Sequence, residues 1–241
     1  MEEMETIKTD VEAFFAEMAE RHHGALQTVS TGHKTVTAGT ENPAVTLDRL
    51  KAAGIMKRYQ ETTFESINKQ GIPEVIKKQY QLVDEYSSNL AENINNGVGL
   101  VLAGGYGTMK TTLAVAVLRQ WLEMNKDNRG VFVPMVSLMD NLYTMRSLNR
   151  EEWAMYEKKI RNTPLLILDD LGGENISQDW VLSKVDSIIT ERYNKMLPVI
   201  ITTNFSKKEI EGTYSGRLLD RIKSTAKYIS FGGIESQRRA I

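Results

Sequence analysis

The stretch GLVLAGGYGTMKTTLAVAVLRQW, residues 99–121, decides which fold the sequence predicts. Its first part, GLVLA (99–103), has the length and composition of a buried strand. Three glycines follow within the next four residues and allow a tight turn whose backbone N–H groups face inward. A helix is predicted directly afterwards, because Leu113, Val117 and Trp121 share one helical face. A strand, a glycine-rich turn and a helix in this order predict an anion site at the helix N-terminus.

The turn resembles the phosphate-binding pattern GxxxxGK[ST], with one departure. Lys110 would reach the β- and γ-phosphates of a nucleotide, and Thr111 would place its hydroxyl on Mg²⁺. Met109 stands where the pattern has glycine, and a positive φ there would cost methionine about 1 kcal/mol or more. A glycine-rich turn without a ligand is the structural alternative. The predicted site for ATP or ADP with Mg²⁺ comprises Gly104, Gly105, Tyr106, Gly107, Thr108, Met109, Lys110, Thr111 and Thr112.

Four further apolar runs alternate with helical patterns along the chain. They are VFVPMV (131–136), PLLILD (164–169), LPVIITT (197–203) and KYISF (227–231). Such alternation is typical of an α/β fold, in which parallel strands are covered by helices. The sequence therefore predicts a five-stranded parallel sheet.

Polar residues end two of these runs. Asp169 and Asp170 follow an apolar strand, and the carboxyl end of a parallel strand opens towards the phosphate turn. Asp169 would hold Mg²⁺, directly or through water, and Asp170 would act as general base on the attacking water. Asn204 ends the next strand and could orient that water or touch the γ-phosphate. The structural alternatives are a solvated turn for the two aspartates and a helix cap for Asn204.

Arginines near the carboxyl terminus could complete the site. Arg217 and Arg221 lie four residues apart and therefore share one helix face. Isolated, such arginines are usually surface charges, but in a ring of phosphoryl-transfer subunits one would reach the neighbour's γ-phosphate. Arg238 and Arg239 follow the last strand and could close on the nucleotide of their own subunit.

The composition excludes several other classes of site. The 241 residues carry a net charge of −1, so a nucleic-acid contact would need a local basic patch. The chain contains no cysteine, which excludes disulfides and thiolate metal sites. It has neither a signal-peptide core nor a run of about 18 to 20 apolar residues, so we expect a cytoplasmic protein without a membrane span. The sequence predicts that residues 1–45 form a partner-binding segment made of a helix and a polar linker. It predicts that residues 46–241 form an ATPase domain.

Several motifs together resemble a known family. The segments LILDDLGGE (166–174), ERYNKMLPVIITTN (191–204) and GRLLDRI (216–222), with the phosphate turn, look like those of the bacterial and phage helicase loaders of the DnaC/DnaI type. These loaders are AAA+ ATPases, that is, P-loop NTPases that act as assemblies. The resemblance covers roughly residues 55–241 and includes RYQETTFESI (58–67) ahead of the core. The related IstB transposition ATPases share much of this set.

The resemblance implies a role for each matching residue. Lys110 and Thr111 would form the Walker A contacts, and Asp169 with Asp170 the Walker B pair. Asn204 is similar to the sensor 1 residue. The resemblance also implies that Arg221 is the arginine finger and that Arg238 is the sensor 2 arginine.

The family's partners are a hexameric replicative helicase, gripped by the amino-terminal domain, and single-stranded DNA, around which the ATPase domains self-assemble. Residues 137–161 occupy the place of a DNA-facing helix in initiator ATPases. Their candidate contacts are Arg146, Arg150, Lys158, Lys159 and Arg161, with Tyr143, Trp153 and Tyr156 for base stacking; an amphipathic helix on the sheet is the alternative.

The resemblance therefore implies an ATP-dependent loader of the replicative helicase onto single-stranded DNA at replication initiation. Two alternatives remain open. One is an IstB-like transposition helper, which would bind duplex DNA and a transposase. The other is a nucleotide-gated binding module that hydrolyses little, because of Met109.

Overall fold

The computed structural model describes residues 45–173 and 179–238 of the chain. The amino-terminal helix predicted at about residues 5–21 and its polar linker lie outside the described residues. Among the helices within them, none combines the length and apolar character needed to cross a bilayer.

Five strands in the described residues form one all-parallel sheet, which confirms the predicted α/β class. They are β1 (Gly99–Ala103), β2 (Gly130–Pro134), β3 (Leu165–Leu171), β4 (Val199–Thr203) and β5 (Ala226–Ser230). Their order across the sheet is β2-β3-β4-β1-β5, so β1 lies between β4 and β5. The strand before the phosphate turn therefore has as neighbours the strand that leads to Asn204 and the strand that leads to the chain's last described segment.

Helices cover both faces of the sheet. They are α1 (Leu47–Ala52), α2 (Phe64–Gln70), α3 (Lys77–Ser88), α4 (Leu90–Asn95), α5 (Lys110–Met124), α6 (Met135–Leu148), α7 (Arg150–Asn162), α8 (Asp179–Asn194), α9 (Lys207–Thr213) and α10 (Gly216–Thr225). Alternate residues of β1 point to opposite faces: Leu100 and Leu102 join a cluster with residues of α3 and α5, whereas Val101 and Ala103 join one with residues of α6, α8 and α10. Burial on both faces explains why β1 is continuously apolar, and why β3 and β4 begin with apolar runs.

The structure differs from the expected elements at two places. The run VFVPMV does not continue as a strand, because α6 begins at Met135. Met135, Leu138, Met139 and Leu142 are all buried at helical spacing, whereas Val136 is exposed. The sequence also predicts one helix between Pro73 and Gly97, because six apolar residues follow a helical spacing there, but the structure divides it at Asn89 into α3 and α4. Its six apolar positions are nevertheless all buried: Ile76, Tyr80, Val83, Tyr86, Leu90 and Ile94.

The pairing of β3 with β4 becomes irregular near the end of both strands. Leu168 pairs with Ile201 and Leu171 with Thr203, so three steps along β3 match two along β4. The additional residue lies in the segment that holds Asp169 and Asp170. This bulge positions the two acidic side chains at the same edge of the sheet as the turn after β1.

Candidate functional site

The turn between β1 and α5 contains three residues with positive φ, namely Gly104, Gly107 and Met109. Met109 is the N-cap of α5 and lies in the left-handed region, with φ 68° and ψ 11°. It therefore adopts the conformation in which glycine is favoured, at a cost of about 1 kcal/mol. Its side chain is partly buried against the apolar cluster of α5 and β1, and this contact offsets part of that cost.

Lys110 is the centre of this turn. Its side chain is buried, and its Nζ donates to the carbonyl oxygens of Gly104 at 2.7 Å and Gly105 at 2.6 Å. A third contact, at 3.0 Å, goes to Oδ1 of Asn204 at the end of β4. Burial lowers the pKa of Lys110 to about 8, against the attraction of Asp170 and Asp169. The amine thus faces the space enclosed by the turn and the ends of β1 and β4.

The carboxylate of Asp169 is hydrogen-bonded to Thr111, in the first turn of α5. One of its carboxylate oxygens, Oδ1, accepts hydrogen bonds from the hydroxyls of Thr111 at 2.8 Å and Thr202 at 2.6 Å. Burial raises the pKa of Asp169, and these two hydroxyl donors oppose the rise. Thr111 and Asp169, which the sequence predicts as metal ligands, are therefore in direct contact.

Asp170 faces Asn204 rather than Thr111. It has a positive φ of 61°, and its carboxylate accepts a hydrogen bond from Nδ2 of Asn204. Because Oδ1 of the same amide accepts from Lys110, Asn204 connects the predicted general base to the predicted phosphate-binding lysine. The structure thus brings Lys110, Thr111, Asp169, Asp170 and Asn204 together.

Thr202 belongs to the same cluster, although the sequence analysis did not identify it. Its hydroxyl contacts Asp169 and also accepts the backbone N–H of Asp170 at 2.9 Å. In the apolar strand VIITT, alternation alone does not reveal that a threonine donates to the carboxylate of Asp169 and accepts the backbone N–H of Asp170 across a bulge. Its position two residues before Asn204 was the available signal.

Arg221 lies in a separate cluster with α8. Its Nη1 donates to Oδ1 of Asp186 at 3.1 Å and to the hydroxyl of Thr190 at 2.6 Å. The guanidinium also stands over the ring of Tyr193, 6.0 Å from its centroid. Arg217, on the same helix, is exposed. Within the described residues, the side-chain hydrogen bonds of Arg221 therefore go to α8.

The segment after β5 runs along the phosphate turn, and we call residues 231–238 the carboxyl-terminal strap. The N–H of Phe231 donates to the carbonyl of Ala103 at 2.6 Å, and that of Gln237 to the carbonyl of Gly107 at 2.8 Å. A Cβ on Gly107, where φ is 72°, would collide with Ser236. Arg238 is exposed at the end of the strap, and its charge contributes to lowering the pKa of Lys110.

Four of the eight residues expected to face DNA are engaged within the protein. Trp153 and Tyr156 pack against the core, and Lys159 donates to the carbonyl of Ala52. Arg161 pairs with Glu157 at 2.6 Å and also with Glu191. The amphipathic-helix alternative is therefore the better description of α7. Tyr143, Arg150 and Lys158 remain exposed, and the side chain of Arg146 lies outside the described residues.

The strand order, the phosphate turn after β1 and the acidic end of β3 define an ATP-binding P-loop protein of the AAA+ class. The model of the IstB-like ATP binding protein family matches residues 54–240. The chain belongs to this family.

Two relatives are helicase loaders. The chain is 29% identical over 168 residues to the replicative helicase loader DnaI of Bacillus subtilis, a match that covers 64% of this chain and 52% of that protein. The crystal structure of the DnaC helicase loader superposes with a TM-score of 0.64 at 27% identity and covers 73% of this chain and 99% of that one. The chain spans about half the length of the curated relatives it matches.

The fold extends to replication initiators. The AMPPCP-bound DnaA of Aquifex aeolicus superposes with a TM-score of 0.56 at 18% identity, covering 71% of this chain and 50% of that one. At this identity the likeness concerns the fold alone.

Proposed function

We propose that this protein is an ATPase that loads the replicative DNA helicase onto single-stranded DNA. The observation that carries the proposal is the continuous network from Lys110 through Asn204 to Asp170, beside the contact of Thr111 with Asp169. This network supplies a phosphate-binding cation, a metal-binding pair and a base within one chain. The similarity to the helicase loaders DnaI and DnaC supports the choice of substrate.

The side chains at the site fit Mg²⁺ bound together with ATP. Thr111 and Asp169 offer hydroxyl and carboxylate oxygens, which are the hard ligands that Mg²⁺ prefers. Two protein ligands are enough, because Mg²⁺ usually takes its remaining ligands from water and substrate phosphates. In the described residues, no group of three or more histidine, cysteine, aspartate or glutamate side chains could hold a metal by itself. Bound Mg²⁺ would neutralise charge on the phosphates, while Asp169 and Thr111 hold it.

Hydrolysis would use Asp170 and Asn204. In our proposal Asp170 accepts the proton of the attacking water, and the amide of Asn204 orients that water or the γ-phosphate. The hydrogen bond between Lys110 and Asn204 would break when the lysine turns to the phosphates. Tyr106, Thr108, Thr112 and the turn glycines would surround the phosphates, and Arg238 would approach them from the strap.

A second subunit would supply the remaining cation. We propose that ATPase domains self-assemble and that Arg221 acts on the neighbour's γ-phosphate, with Arg217 as the reserve candidate. To do so, Arg221 must leave Asp186 and Thr190. Turnover would then depend on assembly.

A loading assay tests the proposal as a whole. The full chain is mixed with a hexameric replicative helicase and a circular single-stranded DNA, with ATP and Mg²⁺, and helicase retained on the circle is measured. We expect retention to rise when the chain and ATP are both present. No rise, together with binding to a transposase and duplex DNA, would instead favour the IstB-like transposition helper that the family match leaves open.

A truncation tests the division of labour between the two predicted segments. We propose that residues 1–45 bind the helicase and are dispensable for ATP binding by residues 46–241. Deleting residues 1–45 should abolish co-purification with the helicase while ATP affinity stays within about twofold. Undiminished helicase binding would refute this assignment. If ATP binding persists but turnover is absent with DNA and helicase, the third reading, a nucleotide-gated binding module, applies.

A further inference from the structure

Thr202 contacts both acidic residues at the end of β3. Its hydroxyl donates to Oδ1 of Asp169 at 2.6 Å, and its oxygen accepts the backbone N–H of Asp170 at 2.9 Å. Thr202 is 2% exposed, so water cannot readily replace either contact. One hydroxyl therefore links the predicted metal ligand to the predicted general base.

The two contacts fix the direction of the hydroxyl. Because the oxygen of Thr202 receives an N–H from Asp170, its own proton is directed to Asp169. Thr111 donates to the same carboxylate oxygen from the opposite element, α5. Oδ1 of Asp169 is thus held between two hydroxyls, which orients the carboxylate towards the start of α5.

The contact of Thr202 with Asp170 supplies a hydrogen-bond acceptor at the bulge between β3 and β4. At the bulge, β3 advances three residues while β4 advances two, so an N–H of β3 loses its regular partner. Thr202 accepts this N–H and helps to hold Asp170 at a positive φ of 61°. In that conformation the carboxylate of Asp170 faces Asn204.

We propose that Thr202 is a positioning residue that presents Asp169 to Mg²⁺ and Asp170 to Asn204 through a single hydroxyl. This inference rests on the proposed ATPase function and adds a residue to it. Loss of the hydroxyl frees the Asp169 carboxylate to rotate and leaves the N–H of Asp170 unpaired. The first change weakens metal-assisted nucleotide binding, and the second misplaces the base.

The neighbouring threonine provides a matched control. Thr203 is also fully buried on β4, but its hydroxyl donates to the carbonyl of Leu171 and accepts the N–H of Phe205. Thr202→Val and Thr203→Val therefore remove the same group from adjacent buried positions, and only the first removes a contact with the carboxylate of Asp169 and the N–H of Asp170. Thr202→Ser keeps the hydroxyl and serves as the rescue variant.

The test measures Mg²⁺ dependence in the full chain. The affinity for a fluorescent ATP analogue is determined in EDTA and across a Mg²⁺ titration, with turnover and thermal unfolding measured in parallel. For Thr202→Val we expect unchanged affinity in EDTA and a Mg²⁺ requirement raised about 10- to 100-fold, the usual effect of losing a residue that orients a metal ligand. Thr202→Ser should stay within a few-fold of the parent, and Thr203→Val should lose stability without a change in Mg²⁺ requirement.

Two results would overturn the inference. One is an unchanged Mg²⁺ requirement in Thr202→Val, and the other is an equal rise in Thr203→Val. Should Thr202→Val fail to fold, Thr202→Ala removes the same hydroxyl and is read in the same way. Failure of the proposed function would look different, because the parent chain itself would then show no Mg²⁺-dependent nucleotide binding or turnover.

Discussion

The Nζ of Lys110 lies 3.0 Å from Oδ1 of Asn204, although 94 residues separate the two along the chain. The contact exists because β1 and β4 are neighbours in the sheet and both end at the same edge. Through Asn204 the lysine is also connected to Asp170. Lys110 is therefore coupled to residues at the ends of two other strands, β3 and β4.

Replacing Lys110 tests nucleotide binding. Lys110→Ala should reduce ATP affinity below detection while the fold is retained, because the change deletes the amine that we propose binds the phosphates and leaves the apolar side chains of the core in place. Titration calorimetry with ATP and Mg²⁺ measures the effect. Lys126→Ala, at an exposed position after α5, is the control and should bind as the parent does. Equal affinity in Lys110→Ala would remove the basis for the site.

Replacing Met109 tests the cost of its left-handed backbone. Met109→Gly should tighten nucleotide binding or raise turnover, because glycine adopts a φ of 68° without the roughly 1 kcal/mol that methionine incurs. Met196 offers a matched control, since it also has a positive φ, 53°, but lies in the turn between α8 and β4. Met196→Gly should relieve similar strain without changing ATP affinity. If both variants behave alike, the conformation of Met109 has no bearing on nucleotide binding.

Mixing two inactive variants tests whether Arg221 acts on a neighbouring subunit. Arg221→Ala should bind ATP as a monomer yet lose assembly-dependent turnover, since such a finger contributes roughly three to five orders of magnitude in related systems. Lys110→Ala should lack turnover for the opposite reason, loss of its own phosphate site. Their mixture should recover some activity, because one type of interface then pairs an intact site with an intact arginine. A mixture that assembles but stays inactive would show that Arg221 is no trans-acting finger.

Arg192 provides a prediction about stability rather than catalysis. Its side chain is fully buried, and its guanidinium donates to the carbonyls of Ile160 at 2.9 Å and Pro198 at 2.8 Å, joining the end of α7 to the residue before β4. Arg192→Leu should lower the free energy of unfolding by about 3 kcal/mol, because it leaves buried carbonyls without donors. Denaturant unfolding measures this. Arg217→Leu, at an exposed position, should change it by less than about 0.5 kcal/mol.

Strand positions followed from the sequence because β1 to β4 are almost completely buried, whereas only Ile229 is buried in the edge strand β5. Runs such as LLIL in β3 and VII in β4 have no polar side to present, so they stand out from the amphipathic helices between them. The run around Pro134 was ambiguous, since a short apolar stretch does not distinguish a strand from a buried helix. The apolar run at residues 131–136 consequently predicts a strand that extends into the first turn of α6.

The sequence predicts most residues of the candidate site but not the hydrogen bonds that connect them. Lys110, Asp169 and Asn204 each end or follow an apolar run, and parallel strands bring such residues to one edge. The link through Thr202 depends on an additional residue in β3, and a one-residue change of register has no local signature in composition. The contact of Arg221 with Asp186 likewise depends on the packing of α10 against α8.

The position of β1 in the middle of the sheet has a consequence for synthesis on the ribosome. Leu100 pairs with Ile200 on one side and with Lys227 on the other. The pairing of β1 is therefore complete only after a further stretch longer than half of the chain has been synthesised. By contrast, β2 and β3 can pair once Leu165 has emerged, since Gly130 is its partner. Contacts so distant in sequence form late and slowly. A nascent chain that ends before β4 would therefore be unable to bind nucleotide, and the onset of ATP binding would report that β1 has paired with β4.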